Sequence, residues 1–372
     1  MALKDILESA VRPAALVEPI DDRRIRCVAC GHRCPLPDGA AGVCKVRFNR
    51  GGTLYAPWGY VGGIQCDPVE KKPFFHVSPG SLAFSFGMLG CDLHCGYCQN
   101  WVTSQALRDP RAVVPPREVD PAGVARQAAD LGARLLVSTY NEPLITLEWA
   151  VEIFRHARPL GLRTAFVSNG NATPQALDYL QPHIDCYKVD LKSFDDRQYR
   201  QLGGRLAPIL ETIRDLHRRG IWVEIVTLLV PGFNDSEAEL RQLTAFVADV
   251  SPDIPWHVTA FHPDYRMTDR GDTAASQLLR AAAIGRESGL RFVYAGNRPG
   301  AVGDLEDTRC ASCGTTLVER TGYVVHANRL NEAGTCPSCG VRVPGLWEPT
   351  PAPHGRAWQA GVAVWRSRPD QP

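Results

Sequence analysis

Cys91, Cys95 and Cys98, in the run Gly90-Cys91-Asp92-Leu93-His94-Cys95-Gly96-Tyr97-Cys98-Gln99-Asn100, have the spacing in this chain best suited to chemistry. Thiolates at C-x3-C-x2-C spacing can ligate three irons of a cubane, whereas a pure electron carrier normally supplies a fourth cysteine. The missing ligand leaves one iron open to chelation by an amino and a carboxylate group. The competing arrangement is a single zinc held by the three sulfurs and His94.

Eleven of the thirteen cysteines fall into three groups, of which this is the central one. Cys310-x2-Cys313 and Cys336-x2-Cys339, followed by Gly314 and Gly340, form a knuckle pair whose four thiolates suit a tetrahedral ion, zinc or iron. The gap of 22 residues between the pairs slightly exceeds the usual zinc-ribbon range. Cys27, Cys30, Cys34 and Cys44 are spaced less regularly; they could hold zinc or an auxiliary cluster, and His32 could replace one thiolate. Cys66 is either a substrate-side thiol or a packing residue, and Cys186, inside an apolar run, reads as a buried strand position.

These residues need a scaffold. Strands are predicted at 82–88, 134–138, 163–168, 184–190, 222–229, 256–260 and 291–295, alternating with helical segments, which is the pattern of a parallel sheet with covering helices. Asp120 before Pro121, Thr173 before Pro174, and Ser236 with Glu239 mark helix starts. The central cysteines follow the first strand, and later strands also end in polar groups: Glu142, Asn169, Asp190 with Lys192, Asn234 with Asp235, and His262. Polar groups gathered at the C-terminal ends of parallel strands make a single site.

Composition removes other classes. Hydrophobic residues make up 44% and charged residues 22%, as in globular proteins, and the net charge of +1 gives no overall attraction to nucleic acid or anionic lipid. No apolar run approaches the roughly 18 residues of a membrane span. Asp5, Glu8 and Arg12 interrupt the N-terminal apolar stretch, so it reads as an amphipathic helix rather than a secretory signal. An odd number of cysteines without an export signal predicts metal ligation in a reducing, cytoplasmic compartment.

With Tyr97 as the aromatic residue before its last cysteine, the central motif resembles that of the radical S-adenosylmethionine (SAM) superfamily, in particular the glycyl-radical-activating enzymes. The resemblance implies a 4Fe-4S cluster on Cys91, Cys95 and Cys98, with Tyr97 beside the adenine. It also implies Glu142 at the methionyl amino group, and Asn169, Asp190, Lys192 and His262 near the ribose or methionine carboxylate. Tyr140 and Asn141 stand where those enzymes have two glycines. The segment Asp67-Pro68-Val69-Glu70-Lys71-Lys72-Pro73-Phe74-Phe75-His76 is similar to that of the radical enzyme of the AmmeMemoRadiSam system, as are the Cys27–Cys44 arrangement and the paired C-x2-C terminus. That similarity implies Memo-type and AMMECR-type partner proteins. Lys71, Lys72 and His76 could receive an anionic substrate or partner, or the lysines could simply face solvent.

The expected architecture is α/β: a partial parallel (β/α)6-type radical SAM barrel over 78–300. It is preceded by an amphipathic helix at 1–20 and a cysteine-rich module at 21–77, and followed by a zinc-ribbon-like module at 301–348 and a tail at 349–372. The expected activity is reductive cleavage of SAM, with electrons from a flavodoxin- or ferredoxin-type donor, followed by hydrogen abstraction from an unidentified substrate. The alternatives are an activase that installs a glycyl radical on a protein, and a non-catalytic iron–sulfur or zinc protein that binds nucleic acid.

Overall fold

The computed structural model describes residues 3–347; the sequence-predicted tail at 349–372 lies outside them. Eight strands form one sheet: β1 (Gly63–Pro68), β2 (Leu82–Gly87), β3 (Ala133–Ser138), β4 (Arg163–Ser168), β5 (Cys186–Asp190), β6 (Trp222–Leu229), β7 (Trp256–Ala260) and β8 (Val293–Gly296). Their order in space follows the chain, all neighbours from β2 to β8 run parallel, and β1 lies antiparallel on the β2 edge. One main helix occupies each crossover from β2 to β8: α1 (Pro121–Asp130), α2 (Leu147–Ala157), α3 (Pro174–Leu180), α4 (Leu206–Arg218), α5 (Glu237–Val250) and α6 (Ala275–Glu287).

The helix starts obey their local chemistry. Asp120 accepts from the Gly123 N–H (2.7 Å) and Thr173 from the Ala176 N–H (3.1 Å), each ahead of a proline in the first turn. Ser236 accepts from the Glu239 N–H at 3.3 Å, but Glu239 does not complete a capping box. Its carboxylate instead takes the Ser193 hydroxyl and the Phe194 N–H, both at 2.7 Å, and so ties α5 to the loop after β5.

Parallel strands are covered on both faces, and their sequences are correspondingly apolar. Phe86, Leu136, Phe166, Tyr187, Ile225 and Val258 share one core with the inner faces of the helices. On the other face, Leu135, Val137, Ala165 and Cys186 pack against Val69, Phe74 and Val77. The segment between β1 and β2 therefore plugs that end of the sheet's concave side. Residues of both edge strands, Gln65 and Asp67 of β1 and Ala295 and Gly296 of β8, line one cavity, so the sheet curls around it.

Two expectations need correction. The N-terminal helix spans only Leu3–Ser9; beyond it Val11–Pro13 pairs with Thr53–Pro57, and Val17–Pro19 with Ile25–Cys27. Pro13 lacks an N–H to bond the Ser9 carbonyl and pushes Arg12 into extended conformation, which ends the helix early. The large sheet also begins upstream of residue 78, because β1 adds to its edge.

The N-terminal segment is held to α2 by Arg47, whose guanidinium makes two 2.7 Å bonds to Glu148 where both side chains are buried. The C-terminal segment forms a small antiparallel sheet of Thr308–Arg309, Thr316–Thr321 and Val324–Asn328. Its buried Arg320 donates to the Phe75 carbonyl (2.9 Å) and pairs with Glu70 (3.5 Å), fastening this sheet beneath the plug. Among the described residues no helix is long and apolar enough to cross a membrane.

Candidate active site

Cys91, Cys95 and Cys98 lie on the loop that leaves the C-terminal end of β2. Gly90 turns the chain there at φ +95°, and a Cβ would stand 2.9 Å from Val46 Cγ1 and 3.1 Å from the Cys44 carbonyl. The cysteine loop is thus pressed against the N-terminal cysteine segment at a point where only glycine fits. Cys98 Sγ lies 3.2 Å from the Ser104 hydroxyl, and the Leu93 N–H points at Cys91 Sγ (3.4 Å). His94 is exposed, with its ring against Gly203.

Cys95, Tyr97 and Cys98 open onto the cavity inside the curled sheet, whose volume is about 380 Å³, within the range of small-molecule sites. Lys188, Asp190 and Lys192 line it from β5 and the loop after it, with Asp190 bonded to the ammonium groups of both Lys188 and Lys192, the latter at 3.0 Å. Burial works against the Asp190 charge, but the two lysines hold its carboxyl well below the usual carboxylate range. On the opposite edge Asp67 bonds Lys71 and Lys72, both at 3.0 Å, and the buried Lys72 also reaches the Tyr140 hydroxyl at 3.3 Å. Each of the two carboxylates thus bridges two ammonium groups.

Tyr140 occupies the left-handed region at φ +70°. That conformation costs a non-glycine residue about 1–2 kcal/mol. The glycines of the resembled motif are gone, yet a backbone shape that favours glycine remains, with the tyrosine ring now forming cavity wall beside Lys72.

The six sequence-predicted cosubstrate residues do not converge equally. Tyr97, Asp190 and Lys192 line the cavity. His262 is exposed at the rim, its Nε2 2.9 Å from Gln99 Nε2. Glu142 and Asn169 lie behind the wall in a buried polar network. Glu142 accepts from the Leu144 N–H (3.1 Å), the Ser168 hydroxyl (2.7 Å) and the Asn169 N–H (2.8 Å), while the amides of Asn169 and Asn171 donate to Asp92 at 2.7 and 2.8 Å. Burial, and then the Asp92 carboxylate, push the Glu142 carboxyl up to about 8 against those donors. The network braces the cysteine loop through Asp92.

His76 does not reach the cavity. It is fully buried, with one ring nitrogen 2.6 Å from the Pro344 carbonyl and the other 2.6 Å from the Tyr294 hydroxyl, so it joins the plug to the C-terminal segment. Cys66 packs against the helix-side core, because side chains alternate along β1 and Gln65 and Asp67 take the cavity side. Cys186 is buried on β5.

The sulfurs of Cys310, Cys313, Cys336 and Cys339 all lie within 4.8 Å of one another, with Cys310–Cys339 at 3.6 Å and Cys313–Cys336 at 3.7 Å. Thiolates about 2.3 Å from one tetrahedral ion stand roughly 3.8 Å apart, so the quartet is already at ligand spacing. Gly314 and Gly340 donate to the carbonyls of Cys310 and Cys336, both at 2.9 Å, giving the two knuckles the same turn. Cys27, Cys30, Cys34 and Cys44 do not form a group of that closeness. His32 Nε2 lies 3.8 Å from the Asp92 carboxylate.

The geometry tests the iron and cosubstrate reading. Three thiols share one loop, two of them at the cavity surface, and the buried Tyr97 hydroxyl beside them has no hydrogen-bond partner among the described residues. An orphaned polar atom in such a wall fits a ligand that supplies its partner. Sequence reasoning missed Lys188, Glu224 and His257. Polar residues at inward positions of strands that are otherwise apolar were the available signal, at a spacing of two from Asp190 in the case of Lys188.

The model of the Radical SAM superfamily matches residues 87–244. Uncharacterized protein MJ0808 of Methanocaldococcus jannaschii is 35% identical over 338 residues, spanning 90% of this chain and 99% of that protein. A pyruvate formate-lyase-activating enzyme of Staphylococcus epidermidis is 26% identical over 185 residues, 46% of this chain and 72% of that enzyme. The crystal structure of a radical SAM methyltransferase from Sphaerobacter thermophilus has a TM-score of 0.45 at 16% identity, covering 82% of this chain and 80% of that one.

Proposed function

This chain belongs to the radical SAM superfamily, and on that premise we propose that its curled sheet is a partial (β/α) barrel in which SAM is cleaved to abstract hydrogen from a small molecule. The observation that carries this reading is the opening of Cys95, Tyr97 and Cys98 into a cavity enclosed by both edges of the sheet. Cys91, Cys95 and Cys98 would hold a 4Fe-4S cluster, which, when bound and reduced by a flavodoxin- or ferredoxin-type donor, would supply the electron for reductive cleavage of SAM.

The residues of the chain bind, orient and enclose. Lys192, with its charge anchored by Asp190, suits the methionine carboxylate, and Tyr97 suits the adenine. Glu142 and Asn169 act from behind, by fixing Asp92 and hence the loop. Excluding water matters because a primary carbon radical attacks almost any nearby C–H bond. Gly322 and Tyr323, at the tip of the C-terminal hairpin, line the cavity together with both sheet edges. That enclosure favours a small-molecule substrate over a protein backbone.

The remaining assignments follow from the same premise. The barrel body runs from β1 to about residue 300, between the N-terminal cysteine-rich segment and the C-terminal module at 301–348, and the C-terminal quartet takes zinc. The resemblance of Asp67–His76 supports action with Memo-type and AMMECR-type proteins. Thirteen free thiols suit a reducing, cytoplasmic compartment. A second reading, activation of a glycyl-radical enzyme, is favoured by the similarity to a pyruvate formate-lyase-activating enzyme. A persistent protein radical on a partner, seen by electron paramagnetic resonance, would select it.

The test of the main reading is anaerobic reconstitution followed by reduction in the presence of SAM. Wild-type protein yields 5′-deoxyadenosine, and Cys95→Ala yields none. Full cleavage by Cys95→Ala rejects the assignment of the cluster.

A further inference from the structure

At the deep end of the cavity, away from the cysteines, stands His257 on β7, and beneath it is Glu224 on β6. Glu224 is fully buried and takes four donors: the N–H groups of Phe75 and His76 at 3.0 Å each, the Trp222 indole at 3.1 Å and His257 Nε2 at 2.7 Å. Burial opposes its charge, but the His257 bond leads the contacts that hold its carboxyl below the ordinary range. An ionised carboxylate accepts only, so the proton of the neutral imidazole sits on Nε2 and Nδ1 is left as an acceptor. Burial lowers the His257 pKa, which keeps the ring neutral.

The ring cannot turn away. Phe75 meets it edge-on at 4.8 Å, and Tyr294 stacks on it at 5.0 Å. Among the described residues Nδ1 has no hydrogen-bond partner, and it is not a sealed orphan like the Tyr97 hydroxyl. Its accessible side is the cavity that the ring lines. The charged groups around that cavity are already engaged: Lys71 and Lys72 by Asp67, Lys188 and Lys192 by Asp190, Glu70 by Arg320, and Glu306 by the N–H groups of Gly300 and Gly322. His257 therefore offers a fixed, neutral, unspent acceptor at the end of the cavity opposite the thiols.

We propose that His257 binds the substrate, with Nδ1 accepting a hydrogen bond from a hydroxyl or N–H group, and that Glu224 is the positioning residue that sets its tautomer. The occupant is then a small polar metabolite that reaches from the floor toward the cysteine loop and carries a donor group at its floor end. This rests on the reading of the cavity as the reaction chamber.

The experiment uses reconstituted, reduced holoenzyme with SAM and a deuterated metabolite extract, and reads both total 5′-deoxyadenosine and its deuterium content. Wild-type protein is expected to form deuterated product. His257→Phe loses about tenfold in the fraction of its 5′-deoxyadenosine that carries deuterium, the effect of one lost hydrogen bond to substrate. His257→Asn places an acceptor near the Nδ1 position and restores part of the transfer, whereas His257→Gln mimics Nε2, keeps the Glu224 contact and does not. The reverse order, with Gln competent and Asn not, overturns the proposal in favour of a purely structural bond. Full transfer by His257→Phe overturns it as well, as does wild-type product that carries no deuterium. Absence of any 5′-deoxyadenosine from wild type would instead overturn the underlying reading of the cavity.

Discussion

His76 gives the fold a calculable sensitivity to acid. Burial pushes its pKa from 6.5 down to about 4, although Glu224 and the Pro344 carbonyl pull the other way. The neutral ring is fully used, donating from Nδ1 to Pro344 and accepting at Nε2 from Tyr294. Between pH 6.5 and about 4 the unfolded chain binds a proton here that the folded chain does not, so stability rises with pH across this window and falls on acidification. At 1.36 kcal/mol per unit the full loss is about 3 kcal/mol, of which about 2 kcal/mol falls between pH 7 and pH 5. The assay is denaturant unfolding at those two pH values for wild type and His76→Gln. The variant starts less stable, but it should lose about 2 kcal/mol less on acidification, because carboxylates and the other histidines titrate in both proteins. Equal losses would show that His76 does not titrate in this window and would refute its seclusion between the plug and the C-terminal segment.

Removing Arg47 strands a buried carboxylate, so Arg47→Ala should cost about 3–5 kcal/mol in urea unfolding; pairing it with Glu148→Met should recover much of that loss. Cys336→Ser should lower both bound metal and melting temperature, since folding and metal binding are coupled in four-thiolate sites; unchanged values for both would mean the quartet does not hold a structural ion. Glu142→Gln should leave SAM affinity within about twofold at matched iron content, because the carboxylate faces Leu144, Ser168 and Asn169 rather than the cavity. A loss of about tenfold, the usual effect of removing a charged hydrogen bond, would place that side chain against the cosubstrate instead.

The parallel strands were legible because burial on both faces leaves long apolar runs, and the helices because Asp120, Thr173 and Ser236 announce their starts. β1 was hidden for a physical reason. Gln65 and Asp67 face a polar cavity while Ile64 and Cys66 face the core, and Gly63 and Pro68 at its ends read as turn residues. The cysteine loop and the Asp190–Lys192 pair could be read from residue type and position after a strand. The retreat of Glu142 behind the wall could not, since it depends on Ser168 and Asn169 of a neighbouring strand end supplying its donors. His76 misled in the same way: a histidine after two lysines suggests an anion site, but its partners, Pro344 and Tyr294, lie more than 200 residues away.

The Asp67–His76 segment joins these observations into one device. Asp67 and Lys72 form wall, Phe75 and the backbone N–H groups of Phe75 and His76 seat Glu224 under His257, and His76 with Glu70 grips the C-terminal segment. That segment carries the four-thiolate quartet and also the hairpin whose tip, Gly322 and Tyr323, lies at the cavity. A side chain at the floor, a wall charge and the closure of the seam are thus held by ten consecutive residues packed on one metal-ready module. Damage to the quartet should therefore be felt first as loss of enclosure, seen as 5′-deoxyadenosine formed without substrate turnover, before it is felt as loss of the central cluster, which is braced separately through Asp92, Asn169 and Asn171.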